Sequence, residues 1–131
     1  MPVKLRAQRE GLSIPVAVAT GGLPKDTLVA ITANLTVDKA GANALVVGRL
    51  FKAPKDANGS GTVETRFKER IEIKASGILA AGNEVKMAAP DPGTGENRVT
   101  LFDPAADAVT RRFGVVLKGG ADGATVEVLV Y

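Results

Sequence analysis

Between Thr62 and Lys74 the chain reads TVETRFKERIEIK, and every second residue is charged: Glu64, Arg66, Lys68, Arg70, Glu72 and Lys74. In an extended strand these side chains share one face, opposite Val63, Thr65, Phe67, Glu69, Ile71 and Ile73. Such a face could serve as an acid–base ridge, a phosphate track or a docking surface. The residues that the chain lacks narrow the choice. It contains no His and no Cys, so the usual acid–base side chain near neutral pH is missing, as are thiolate nucleophiles, disulfides and thiolate metal sites.

The remaining chemistry is thin. Ser13, Ser60 and Ser76 are nucleophile candidates by type, but no motif frames them with a base. Asp103 and Asp107 form a close carboxylate pair in sequence, which a chain with 14 acidic residues is bound to contain somewhere. Asp91 to Glu96 has two carboxylates but not the dense ligand spacing of a calcium loop. Gly59-Ser60-Gly61 and Gly93-Thr94-Gly95 lack the third glycine and following helix of a dinucleotide site, and no Gly-Lys-Ser/Thr phosphate loop occurs. The sequence therefore predicts neither an enzyme nor a cofactor or metal site. As a nucleic-acid track the basic strand is also poor. Phe67 falls on the opposite face, Glu64 and Glu72 dilute the attraction for phosphate, and stacking aromatics are absent from the charged side.

The elements around this strand are short and alternating. The chain has 131 residues, 45% of them apolar but only 4% aromatic, with 15 Gly and 7 Pro. That is enough for a Val-, Leu-, Ile- and Ala-built core, and the turn residues favour an all-β chain over a helical bundle. Strands are expected at 14–19, 28–35, 44–51, 62–74, 84–88, 98–102, 113–118 and 125–131. Asp103-Pro104 could start one helical turn or a wide loop. Glu69 interrupts the apolar face of the 62–74 strand, whose length of about 43 Å exceeds a typical strand. A bulge or break near Lys68–Arg70 follows, or an end bearing Glu69 that projects past the core, and a projecting hairpin from Phe51 to Glu69 would suit contact with a neighbour.

Short segments recur. Val47-Gly48-Arg49-Leu50-Phe51-Lys52 returns as Phe113-Gly114-Val115-Val116-Leu117-Lys118, and Thr62-Val63-Glu64 as Thr125-Val126-Glu127. The segments Leu23–Val29, Leu79–Val85 and Gly120–Val126 each place a turn residue three positions before Val. These echoes support strand–turn–strand units. The fold expected is a small β-barrel or a two-sheet sandwich built from hairpins, with residues 1–22 as an extended N-terminal arm and first strand and 23–131 as a single β-domain. Charge is local: residues 1–25 and 49–74 each carry +3 within a total of +3. No apolar run approaches the roughly 20 residues that span a bilayer, and KLRAQRE followed by LSIPVAVA reads as an arm rather than a signal peptide.

The order of these elements carries a resemblance. A Leu-Pro-Lys-Asp turn is followed by VVGRLFKAPK, GTVETRFKERIEIKASG, ILAAGNEVKMA and a closing FGVVLKGGADGATVEVLVY. From Leu23 to Tyr131 this resembles the capsid cement, or head decoration, proteins of tailed bacteriophages. Phe67 departs from that pattern, which often has Gly there, and the KLRAQRE arm and the DPAAD segment lie outside it. The resemblance implies a virion structural protein without catalytic residues or cofactor, made in the host cytoplasm. It would sit on the outer capsid surface as a homotrimer and stabilise contacts between subunits of the major capsid protein, its partner. Contact candidates are Lys4, Leu5, Arg6 and Arg9 on the arm, Lys52 and Lys55, and Arg66, Phe67, Lys68 and Arg70.

Overall fold

Alternating Val-rich segments bury one side chain in two, and a sheet of them must close or stack to hide that face. Here it closes, twice. The computed structural model describes residues 12–65 and 70–131, and its regular elements are ten strands and one short 3₁₀ turn, Val109–Arg111. Strands β1 (Leu12–Val18), β2 (Leu28–Ala33), β3 (Thr36–Lys39), β4 (Gly48–Lys52) and β5 (Gly59–Thr65) form one barrel in the order β1-β3-β2-β4-β5. Strands β6 (Arg70–Ala75), β7 (Glu84–Ala88), β8 (Arg98–Leu101), β9 (Gly114–Lys118) and β10 (Thr125–Val130) form a second. Its order, β6-β8-β7-β9-β10, repeats the first. In each barrel one seam is parallel and only two residues long: Ala17–Val18 beside Thr36–Val37, and Lys74–Ala75 beside Arg98–Val99. The chain is all-β, and its sheets are barrels rather than a sandwich.

The two barrels correspond residue by residue. Val29 pairs with Gly48 as Val85 pairs with Gly114. Asp26 N–H donates to Leu50 C=O as Gly82 N–H does to Val116 C=O, both at 2.8 Å. Val18, Val29, Val37, Leu50 and Val63 fill the first barrel. Ala75, Val85, Val99, Val116 and Val128 take the equivalent places in the second. Four turns share one device, a third residue at positive φ: Asp26 (69°), Asn58 (59°), Gly82 (88°) and Gly123 (80°). A left-handed residue there suits Gly, Asn or Asp, which is what the sequence places.

At the equivalent positions Gly48 and Gly114 glycine is required for a different reason. A Cβ on Gly48 would stand 2.3 Å from the Glu64 carbonyl oxygen, and one on Gly114 would stand 2.4 Å from that of Leu129. Backbone lies against backbone there, as the β4 and β9 strands begin against β5 and β10.

The barrels are joined by an apolar seam. Val29 points into the first barrel, so its neighbours Leu28 and Ala30 point out of it. Leu28 and Ala40 are buried in the same cluster as the core of the second barrel, with Ala30, Ala44 and Val46 packed against it.

Several expectations are corrected. The 62–74 segment divides, in keeping with the break expected near Lys68–Arg70, since β5 ends at Thr65 and β6 begins at Arg70; what was not expected is that the two lie in different barrels. Phe51 to Thr65 does not project. Its loop is tied down by Gly22 N–H to Pro54 C=O (2.9 Å) and Asn58 N–H to Ala19 C=O (3.2 Å). Strand β3 was not anticipated because Thr-Val-Asp-Lys contains one apolar residue. The 44–51 strand starts only at Gly48. The Thr-Val-Glu echo is also out of step, because register makes Val63 equivalent to Val128, not Val126.

Gly114→Ala is expected to destabilise the protein by about 1–3 kcal/mol, because the neighbouring carbonyl is backbone and cannot rotate away. Gly41→Ala, with open space at its Cβ, should change stability little. Urea unfolding of the two variants checks the pair; equal midpoints would show that the contact is not tight.

Candidate functional site

A broad concavity lies between the barrels. It has a volume of about 660 Å³ and is walled by 24–28 of the first barrel, 70–74 of the second and 94–97 of the loop between β7 and β8. That loop reaches it because β7 and β8 are joined by nine residues, whereas β2 and β3 are joined by Asn34 and Leu35 alone. Asp91 shapes the loop. Its carboxylate accepts from the N–H groups of Gly93 (2.8 Å) and Thr94 (3.2 Å), an Asx turn of the kind that Asp-Pro-Gly favours.

The loop then crosses to the first barrel. Asn97 grips the backbone of Leu28 with both ends of its amide: Oδ1 accepts from the Leu28 N–H (2.9 Å) and Nδ2 donates to the Leu28 C=O (3.3 Å). Lys39 Nζ donates to the Gly95 carbonyl at 2.7 Å. From the second barrel, Lys74 Nζ sits 3.1 Å from Glu96 and 3.4 Å from Asp91. The hydrogen bond to Glu96, then that to Asp91, holds the Lys74 pKa above its ordinary value despite some desolvation. Asp91 is held below the usual carboxylate range, first by the Gly93 and Thr94 N–H groups and then by Lys74. On the opposite wall Arg49 meets Glu64 at 3.2 Å and Asp26 at 3.8 Å. Lys74, Asp91, Glu96, Arg49 and Asp26 in and around the cleft are thus held by protein partners, while Arg70 and Glu72 also line it. Thr27, the buried hydroxyl in it, donates to the Pro24 carbonyl at 2.7 Å. No nucleophile–base pair faces the cleft among the described residues.

Two further clusters hold polar groups together. Glu84 accepts from Tyr131 Oη at 2.6 Å and from Arg112 at 2.9 Å, and the Arg112 guanidinium lies 5.5 Å from the Tyr131 ring centre. The Tyr131 hydrogen bond, then Arg112, lowers the Glu84 pKa, and the same bond to Glu84 raises that of Tyr131. Beside them a smaller hollow of about 230 Å³ is lined by Leu45, Val46, Val47, Phe113 and Val130. Asp107 accepts from Lys86 (2.6 Å) and from the Asp103 N–H (2.8 Å), so it pins the 103–107 turn to β7. Lys86 is the first cause of its lowered pKa. Asp103 in turn caps that turn by accepting from the Ala105 N–H. Both carboxylates of this pair hold a loop in shape. No group of three metal-binding side chains occurs among the described residues.

Of the ten contact candidates, Lys4, Leu5, Arg6, Arg9, Arg66, Phe67 and Lys68 lie outside the described residues. Lys52 ends β4 and Lys55 sits in the turn beyond it, both exposed on the first barrel. Arg70 is exposed at the start of β6 and lines the cleft. The clasp residues Asn97, Gly95 and Lys39 carried no motif. Their only sequence signal was the length of the loop after Ala88, with Asp91-Pro92-Gly93 inside it.

Fold and site together define a class: a tandem pair of like-wound five-stranded barrels joined by an apolar seam, with a charged cleft and no framed catalytic set among the described residues. No protein-family model and no curated protein matches the sequence. Among solved structures the fold is similar to the head fiber gp8.5 N base of bacteriophage phi29, with a TM-score of 0.58. The match covers 92% of this chain and 93% of that one at 13% identity, so what it shows is a shared fold.

Two outcomes test this geometry. Asn97→Ala removes the acceptor for the buried Leu28 N–H and one of two donors to its C=O, the other being the Ala40 N–H, and should cost about 1–3 kcal/mol in chemical denaturation, whereas loss of a surface amide would cost almost nothing. The Glu84 contribution to stability is present above the ordinary value of 4.5 and disappears as pH falls through its lowered folded value. That of Tyr131 is present below 10.0 and disappears as pH rises through its raised folded value. Tyr131→Phe should therefore flatten the alkaline limb of a melting-temperature–pH profile and shift the acid limb upward. An unchanged profile would exclude the coupling.

Proposed function

We propose that this protein is a structural accessory of a tailed-phage head: a capsid cement, or decoration, protein that binds the outer surface of the assembled shell as a homotrimer. The observation that carries the reading is the fold shared along nearly the whole chain with a component of a phage head. The element order from Leu23 to Tyr131, which resembles that of cement proteins, agrees with it. The chemistry of the described side chains is consistent as well. Candidate acid–base groups at Glu84, Asp91 and Asp107 are occupied in structural hydrogen bonds. The work of such a protein is contact area across subunit boundaries.

Contacts with the major capsid protein or between subunits would be made by the exposed cations Lys52, Lys55 and Arg70, the arm residues Lys4, Leu5, Arg6 and Arg9, and Arg66, Phe67 and Lys68. Exposed apolar side chains at the tip of the β2–β3 hairpin, Ile31 (66%) and Leu35 (82%), offer area of the kind that such contacts bury.

The test is direct. Heads of the parent phage assembled without this protein should take it up after expansion, and calorimetry should then show a higher melting temperature of the shell. Purified protein should sediment near 40 kDa, about three chains of 13.5 kDa. Failure to bind expanded heads overturns the cement reading, and a monomer at all concentrations overturns the trimer. Salt-sensitive binding to single-stranded DNA, lost on changing Arg66 and Arg70 to Ala, would instead favour a nucleic-acid-binding barrel.

A further inference from the structure

The two sides of strand β6 are used unequally. Toward β10 it is paired from Arg70, opposite Leu129, to Lys74, opposite Thr125. Toward the cleft it is paired with β8 only through Lys74 and Ala75, and among the described residues no strand lies beside 70–73 there. Hydrogen-bond parity shows which backbone groups this unpaired part presents. Ala75 N–H donates to the Ala124 C=O on the β10 side, and Ser76 N–H donates to the Val99 C=O on the β8 side. Alternation then turns the backbone groups of Ile71 and Ile73 toward β10, and those of Arg70 and Glu72 toward the cleft.

The matching edge of the first barrel is blunted. The parallel seams make Ala17 equivalent to Lys74, and so Pro15 equivalent to Glu72. Ala17 and Ala19 donate their N–H groups to Leu35 and Val37, on the β3 side, and position 15 faces the same way. Proline has no N–H to give there, which is one of the ways that proteins close an edge. Glu72 keeps its N–H. Two copies of one barrel therefore differ in whether an added strand can be bonded.

The side chains along the open edge say what such a strand would carry. Arg70 and Glu72 are exposed on the outer face, two residues apart and of opposite sign, and both line the cleft. Neither has an ion pair among the described residues. Within the sheet Arg70 has only Leu129 opposite it, and Glu72 has Glu127. That like-charge pair is unfavourable, and it stands at a non-hydrogen-bonded position, where side chains come closest. On the inner face are half-buried Ile71 and buried Ile73. A strand beyond β6 would be matched if it set an acid opposite Arg70, a base opposite Glu72 and apolar residues opposite Ile71 and Ile73.

We propose that the Arg70–Ile73 edge of β6 binds an extended segment of a partner protein by antiparallel strand addition, with a basic residue beside Glu72, an acidic one beside Arg70 and apolar residues between. Antiparallel pairing lets one partner residue exchange both hydrogen bonds with Glu72. Backbone bonds supply the affinity, and the two charges fix register and select the partner. The proposal gives the exposed Arg70 a defined use, and it stands on the edge itself rather than on the cement reading.

Its test needs no capsid, so its failure and failure of the cement reading are separate results. In the free full-length protein the Glu72 amide should exchange with deuterated solvent about a hundredfold faster than those of Ile71 and Ile73, which β10 covers. A Glu72 amide as slow as its neighbours means that the edge is already covered, and overturns the proposal. A synthetic acetyl-Val-Lys-Val-Glu-Val amide, titrated into isotope-labelled protein, should shift the amide signals of 70–73 saturably and slow exchange at Glu72. The same peptide with Glu in place of its Lys should bind about tenfold more weakly, and Glu72→Lys should reverse that order. Glu72→Pro, which copies Pro15, should abolish binding in a protein whose spectrum remains that of a folded chain. No shift at millimolar peptide, indifference to the peptide's charge, or binding that survives Glu72→Pro each overturns the proposal.

Discussion

The apolar seam between the barrels is the constraint on which the rest of the molecule depends. A five-stranded barrel of short strands encloses little: in the first, five residues from Val18 to Val63 make up the buried interior. Such a core is small for an independent unit. Leu28 and Ala40 add to the second barrel's cluster instead, and with Ala30, Ala44 and Val46 they give the first barrel a second apolar face to bury. Asn97 then accepts from the N–H of Leu28, the seam residue, and adds a second donor to its C=O, which also accepts from the Ala40 N–H. Packing and polar satisfaction converge on one residue.

Repetition of the barrel explains which residues are fixed. The close approach of β4 to its antiparallel neighbour β5 recurs between β9 and β10, and in each pair Gly stands at the point of contact. The turn with a left-handed third residue recurs at matching places, once before the second strand and once before the last strand of each barrel. Those are the positions where backbone geometry leaves little choice of residue. Elsewhere the copies share only an apolar interior, which Val, Leu, Ala or Met can fill.

That difference also decides what could be read in the sequence. Strand β7 was legible to the residue, since Glu-Val-Lys-Met-Ala alternates between clear turn signals. Gly48 and Gly114, with their flanking strands, announced themselves as an echo because the close approach demands glycine. The duplication behind the echo was not legible. Val-rich strands match one another in several registers, and Thr62-Val63-Glu64 aligned with Thr125-Val126-Glu127 two residues away from the true pairing. Strand β3 carries a single inward Val, too little for a pattern. Glu69 signalled an interruption in the 62–74 segment, but no local signal says that the chain leaves one barrel for another between Thr65 and Arg70. The cleft, made by residues up to 69 positions apart such as Leu28 and Asn97, had no sequence signature.

The cleft is a product of where the two copies diverge. Were β7 and β8 joined by a two-residue turn, as β2 and β3 are, there would be no loop to carry Asn97 and Gly95 across to the first barrel. Were the 103–111 segment as short as its counterpart after β3, Asp107 would not reach Lys86. Both additions are held by their own carboxylates: Asp91 bonds two N–H groups within its loop, and Asp103 and Asp107 do the same within theirs. A loop that satisfies its own backbone can be added to a closed barrel without disturbing the wall. Closure therefore fixes the scaffold, and the self-capped loops of the second copy are where this chain acquired a surface the first copy lacks.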